Sequence, residues 1–125
     1  MGAIAGPNII VMMLTAMEHD LQAKYSMESD SMQLLSMQSI FFGNQKAMAY
    51  QQINNCAPDS PRYKQIMNFL AQIEARENAI KSYEKTIEMR MKQLETQLKI
   101  VQQRKESAQK MLEQNIQSAF KLGGR

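Results

Sequence analysis

Between residues 62 and 122 an apolar side chain recurs at every seventh position without a miss: Ile66, Ile73, Ile80, Ile87, Leu94, Val101 and Ala108. A sevenfold column drifts only ~20° per heptad around a straight helix, so the spacing predicts one long helix with a single seam along it. The neighbouring column is mixed, reading Leu70, Glu77, Glu84, Met91, Leu98, Lys105 and Leu112. The other flank holds Phe69, Arg76, Tyr83, Arg90, Gln97, Arg104 and Met111. A dimeric zipper is apolar in two columns, whereas this helix is apolar in one and patchy in the next. Glu-to-Lys pairs four apart (Glu77–Lys81, Glu88–Lys92, Glu95–Lys99, Glu106–Lys110) are expected on the wetted face. No Pro or Gly interrupts residues 62–122; Gly123-Gly124 predicts the stop, with Lys121 placed to suit the helix dipole. At 1.5 Å per residue, such a helix would run ~90 Å.

Residues 8–53 are helical in character but less regular. Met27, Leu34, Phe41 and Met48 form a heptad column, with Leu14, Leu21, Leu35 and Phe42 beside or ahead of it. Gly43-Asn44 could end one helix and cap another, so a kink and a full break both stay open there. A pentad echo, Ser26-Met27, Ser31-Met32 and Ser36-Met37, advances ~140° per step. Its three Met side chains should therefore point in three directions, as on a helix touching more than one neighbour.

The one interior cluster of helix breakers is Asn54-Asn55-Cys56-Ala57-Pro58-Asp59-Ser60-Pro61. Asp59 or Ser60 can cap the next helix, and Pro61 fits its first position, where a missing N–H costs nothing. The expected architecture is thus all-α: a long helical hairpin, or coiled coil, with an extended C-terminal helix. Its parts are an N-terminal Met-rich arm (1–53), a turn (54–61), a heptad helix (62–122) and a tail (123–125). Residues 1–57 carry Lys24 and Lys46 against Glu18, Asp20, Glu28 and Asp30, a net −2, and residues 58–125 carry a net +5, which favours antiparallel folding. Two helices make one contact line and leave other apolar surface wet. Met111, Leu112, Ile116, Ala119, Phe120 and Leu122 are expected to overhang the shorter arm.

Composition narrows the function. With one His and one Cys among 125 residues, there is little to build a catalytic or metal site from. Glu18-His19-Asp20 cannot converge on one ion, because consecutive helical residues point ~100° apart. The 12 Met raise the thought of a soft copper site at Met12, Met13, Met17 and His19, of which Met13 and Met17 share a face, but Met at helical spacing is ordinary core filler. Cys56 has no nearby base to activate it and is expected as an exposed, neutral loop residue. Arg76, Arg90 and Arg104 share a stripe with Tyr83, yet acidic residues alternate nearby, which argues against nucleic acid. Residues 3–17 are apolar but lack a basic flank and are shorter than the ~20 residues a bilayer requires. No cleaved signal or membrane span is expected, leaving the cytoplasm or a signal-independent export route; surface contact of 3–17 with a membrane stays open.

Pro58-Asp59-Ser60-Pro61 between two helical arms resembles the P-x-x-P turn of bacterial type III secretion needle subunits. That resemblance implies a small helical hairpin exported without a cleaved signal and assembled into a helical tube through both arms. Needle subunits are shorter, and the second arm here is longer and more regular in its heptads. The residues alone lead to a non-enzymatic self-assembling subunit of a filament, appendage or secretion-type assembly, with no cofactor and no small-molecule substrate. Its partner would be further copies or another helical protein. The contacts are expected at Ile66, Ile73, Ile80, Ile87, Leu94 and Val101, centred on Ile73 to Leu94, and at Met27, Leu34, Phe41, Met48, Leu112 and Phe120. The competing reading is an adaptor or chaperone that covers a client helix with its Met-rich arm; a third is a membrane-associated helical protein.

Overall fold

A computed structural model describes residues 2–123, with side chains for all of these except 2–5, 7 and 123. Two helices, α1 (Gly2–Ile53) and α2 (Pro61–Gly123), make an all-α hairpin. The last two residues of the expected tail, and part of the 3–17 segment whose membrane contact stayed open, fall outside what is described.

The turn is built from local chemistry. Leaving α1, the Asn54, Asn55 and Cys56 amides donate to the Tyr50, Gln52 and Ile53 carbonyls at 3.3, 3.1 and 3.2 Å, so the last free carbonyls find partners. The Ser60 amide then donates to the Ala57 carbonyl at 3.1 Å across Pro58-Asp59. Asp59 has φ 68°, so the loop has the pattern of a type II turn, with Pro second and a left-handed residue third. Ser60, rather than Asp59, caps α2: its Oγ accepts from the Tyr63 amide at 3.1 Å. Pro61 takes the first helical position.

Gly43-Asn44 neither breaks nor caps; α1 runs through both, and through Pro7 and Asn8. Gly43 has no positive φ, and a Cβ there would meet nothing within 4 Å. Gly43→Ala is therefore expected to stabilise the protein by about 0.5–1 kcal/mol, read as a raised melting midpoint. Because α1 starts at Gly2 and not near residue 8, α2 overhangs less than its sequence suggested. Leu112 is half-buried, whereas Met111, Ile116, Ala119, Phe120 and Leu122 are exposed.

The α2 seam is buried as its spacing predicts: Ile66, Ile73, Ile80, Ile87, Val101 and Ala108 are buried and Leu94 is half-buried. Every member of the mixed column from Leu70 to Leu112 is buried or half-buried as well, so both columns face α1. On α1 the structure departs from the apparent heptad. Met27, Leu34, Phe41 and Met48 are exposed, and the column one residue later is turned inward: Leu14, Leu21, Glu28, Leu35, Phe42, Ala49 and Cys56. Its companion, Val11, Glu18, Tyr25, Met32, Ser39, Lys46 and Ile53, is half-buried throughout. The pentad Met residues do diverge, with Met32 on the seam and Met27 and Met37 in water.

Contacts divide the hairpin into two units, one made of the chain up to Met27 with Met91 onward, the other Glu28–Arg90. In the first, Leu14, Leu21, Val101 and Ala108 form the core, with Val11, Leu94 and Leu98 against it. In the second, Ala49, Ile66 and Leu70 pack with Ile53 and Cys56 near the turn. Cys56 is thus not the exposed loop residue expected; it is half-buried, and its thiol donates to the Gln52 carbonyl at 3.3 Å.

Candidate assembly surface

The seam is held in register by polar residues that occupy apolar-type positions. In the first unit Lys105 reaches Glu18 at 3.4 Å and the Tyr25 hydroxyl donates to Glu95 at 3.1 Å. In the second, Lys46 lies 3.3 Å from Glu77 and 3.9 Å from Glu74, and Arg90 lies 3.5 Å from Glu28. Within each unit the later α1 residue meets the earlier α2 residue, as an antiparallel pair requires. A slip of one turn would set these half-buried charges against apolar side chains, which is costly. Of the four Glu-to-Lys pairs expected along α2, only Glu106–Lys110 forms an ion pair among the described contacts, at 3.8 Å. Glu77 and Glu95 instead turn across to α1.

Two groups carry the electrical signature of these contacts. The hydrogen bond to Glu77 raises the Lys46 ammonium above its ordinary 10.5, helped by the charges of Glu77 and Glu74. The hydrogen bond to Glu95 raises the Tyr25 phenol above 10.0, with desolvation and the Glu95 charge adding to it. Both groups hold their protons more tightly folded than unfolded. Their stabilisation is therefore complete below the ordinary values and lost as pH rises through the folded ones. The expected result is a melting midpoint that falls above about pH 10 to 10.5, with a shallower fall in a Tyr25→Phe, Lys46→Met double variant. Lys46→Glu, which sets three carboxylates together, should lower the midpoint at neutral pH, and adding Glu77→Lys should restore much of it.

With the seam used inside the chain, the expected contact residues separate into two groups. Ile66, Ile73, Ile80, Ile87, Leu94 and Val101 are taken up in the hairpin itself, and Leu112 is half-buried beside them. They hold the fold and are not open to another chain. Met27, Leu34, Phe41, Met48 and Phe120 are exposed. From Ser31 to Gln45, α1 has no Asp, Glu, Lys or Arg, although Leu34, Met37, Ile40 and Phe41 along that stretch each expose more than half their surface. A solvated helix face is ordinarily charged, whereas this stretch is uncharged and mixes exposed apolar side chains with Ser, Gln and Asn.

In the second unit Leu34, Phe41, Met48, Phe69 and Tyr83 are exposed along one flank, while Met37, Ile40 and Met89 are exposed outside it. A groove of about 510 Å³ is lined by Leu35, Gln38, Phe41 and Phe42 from α1 and by Arg76, Ala79, Ile80 and Tyr83 from α2. A second, of about 300 Å³, lies among Gln45, Met48, Ala49, Gln52 and Phe69. Phe41 and Phe42 meet edge to face at 5.6 Å, and the Arg76 guanidinium sits 5.7 Å from the Phe42 ring centre. The opposite flank of this unit carries Ser29, Ser36 and Gly43 with Glu74, Lys81 and Glu88; Tyr50 and Met67 near the turn are its apolar exceptions. The first unit has comparable grooves, of about 370 Å³ beside Met17, Ile100 and Arg104 and about 420 Å³ beside Ile10 and Met111.

No protein family, curated protein or solved structure matches the chain. The site therefore rests on its own chemistry. Among the described residues no three of His, Cys, Asp and Glu are grouped as a cation site requires, and no helix is long and apolar enough to cross a membrane.

Proposed function

We propose that this chain is a non-enzymatic assembly subunit that packs through its exposed apolar flank against further copies of itself. One observation carries the reading: after the hairpin has closed its own seam, Leu34, Phe41, Met48, Phe69 and Tyr83 still face water on a single flank of one unit. Burying such side chains stabilises by ~1.5–3 kcal/mol each, and only another chain is left to bury them. The resemblance of the Pro58–Pro61 turn to needle subunits leans towards a filament or secretion-type assembly, which would be cytoplasmic before any export. Sedimentation velocity across a dilution series is the test. Species well above the 14.3 kDa chain, shrinking on dilution, are expected; a constant 14.3 kDa particle at every concentration would sink the reading.

An adaptor that covers a client helix is the second reading. It is favoured by the exposed Met27, Met37 and Met48, since Met re-packs readily against different partners. An adaptor would stay at the mass of one chain until its client is added.

A further inference from the structure

We propose that the unit made of the chain up to Met27 and from Met91 onward docks on an anionic lipid surface, through the apolar side chains of α1 between Ile9 and Met17 and the Arg104 guanidinium beside them. This contact lies outside the unit whose flank was assigned to assembly, and it does not depend on that reading.

The apolar face of α1 leaves this stretch without a watery side. Of the exposed residues from Asn8 to Met17 only Asn8 is polar, the others being Ile9, Ile10, Met12, Met13, Ala16 and Met17. Thr15 adds nothing polar, because its hydroxyl donates to the Val11 carbonyl at 2.8 Å. At ~100° per residue, Ile10, Met17, Met13, Ile9 and Met12 follow one another around ~160° of the helix. The inward side is apolar too, with Leu14 buried and Val11 half-buried against α2. A helix that is apolar all round belongs in a core or in lipid, and here the core takes only the inward side. The exposed Ile100 and Met111 extend the patch onto α2, since Met17 and Ile100 line one groove and Ile10 and Met111 another. Among the described residues no helix is long and apolar enough to cross a membrane, so the proposed contact lies along the surface, at the boundary of headgroups and acyl chains.

Charge names the kind of lipid. This unit carries eight basic side chains against five acidic ones, a net +3, whereas Glu28–Arg90 carries seven of each. The whole excess of positive charge thus sits with the apolar face, which suits an anionic leaflet. Arg104 lines both grooves and makes no ion pair among the described contacts. The carboxylate at the edge of the patch, Asp20, is neutralised by Lys24 at 2.9 Å. An arginine so placed can lay its stem on apolar surface and pair its fork with a lipid phosphate.

Vesicle co-sedimentation of the full chain tests this, against a blank without vesicles that corrects for self-assembled material. The vesicles are phosphatidylcholine alone, or phosphatidylcholine with about one-third phosphatidylglycerol at low salt. The expected result is several-fold more protein pelleted with the anionic vesicles than with the neutral ones. Met13→Asp should lose most of that binding and Arg104→Gln should lose the preference for anionic vesicles, both with unchanged circular dichroism. Met48→Asp, in the other unit, should pellet as the wild type does. No vesicle-dependent pelleting of the wild type, or equal pelleting with both compositions, would overturn the inference. So would Met13→Asp binding at wild-type strength. Weaker self-association of Met13→Asp in a protein whose wild type ignores vesicles would make this face a protein contact, and that also overturns it.

Discussion

Replacing Ile80 by aspartate is expected to unfold the hairpin rather than merely separate its copies. Ile80 is 5% exposed, at the centre of the α2 seam, with Ile73 and Ile87 a heptad to either side. The substitution loses the apolar side chain, which for Ile→Ala alone costs about 2–5 kcal/mol. It also inserts a carboxylate into an apolar seam, a further penalty that Arg76, one turn away on the same groove, offsets only in part. Small domains have only about 5–15 kcal/mol in hand. Far-ultraviolet circular dichroism at 25 °C should show most of the helical signal gone, and Ile80→Ala should melt early yet still fold. An Ile80→Asp chain with an unchanged melt would mean that the seam is not the core described here.

Phe41→Lys is expected to do the opposite. Phe41 is 56% exposed and belongs to the flank, so its loss leaves the seam intact. Helical signal and the melting midpoint of the dilute chain should be nearly unchanged. Assembly should weaken by about 30-fold or more, since losing a central aromatic anchor costs ~2 kcal/mol or above, and the contact would have to bury an ammonium group as well. Sedimentation at matched concentrations reads the difference. Assembly of Phe41→Lys at wild-type strength would remove Phe41 from the contact. A loss of helix would show that it serves the fold.

The contrast between those two residues shows what was legible in the sequence. The α2 seam was plain because its sevenfold column is unbroken from Ile66 to Ala108, and the turn because its breakers stand alone. The α1 seam was hidden. Its inward columns carry Glu18, Tyr25, Glu28, Ser39 and Lys46, while the column beside them reads Met27, Leu34, Phe41 and Met48. By hydropathy alone the wrong column looks like the core. The deciding signal lay between the arms: Glu18, Glu28 and Lys46 each meet an opposite charge on α2 in a single antiparallel register. Pairing charges across the turn before choosing the apolar face would have found it. Cys56 was misjudged for a related reason, since the breakers around it conceal that it continues the buried column of Ala49.

The same displacement by one residue produces the exposed apolar column of α1. Side chains that would have filled a hairpin core stand outside it, on a helix stretch without charge, and the hairpin's own polar pairs fix them there. Gly43 sits within that stretch without a turn to make, which is why its replacement by alanine is expected to be free of strain.

Oxidation of methionines by dilute peroxide, followed by mass spectrometry, tests most directly whether other copies cover this flank. Met48 on the flank and Met89 on the outer face of α2 are almost equally open in the single chain, at 61% and 64% exposed. Solvent-exposed thioethers oxidise readily to the sulfoxide and covered ones do not. At concentrations where the protein assembles, Met48 should oxidise several-fold more slowly than Met89, with the gap closing on dilution. Equal rates for the two at every concentration would contradict the account.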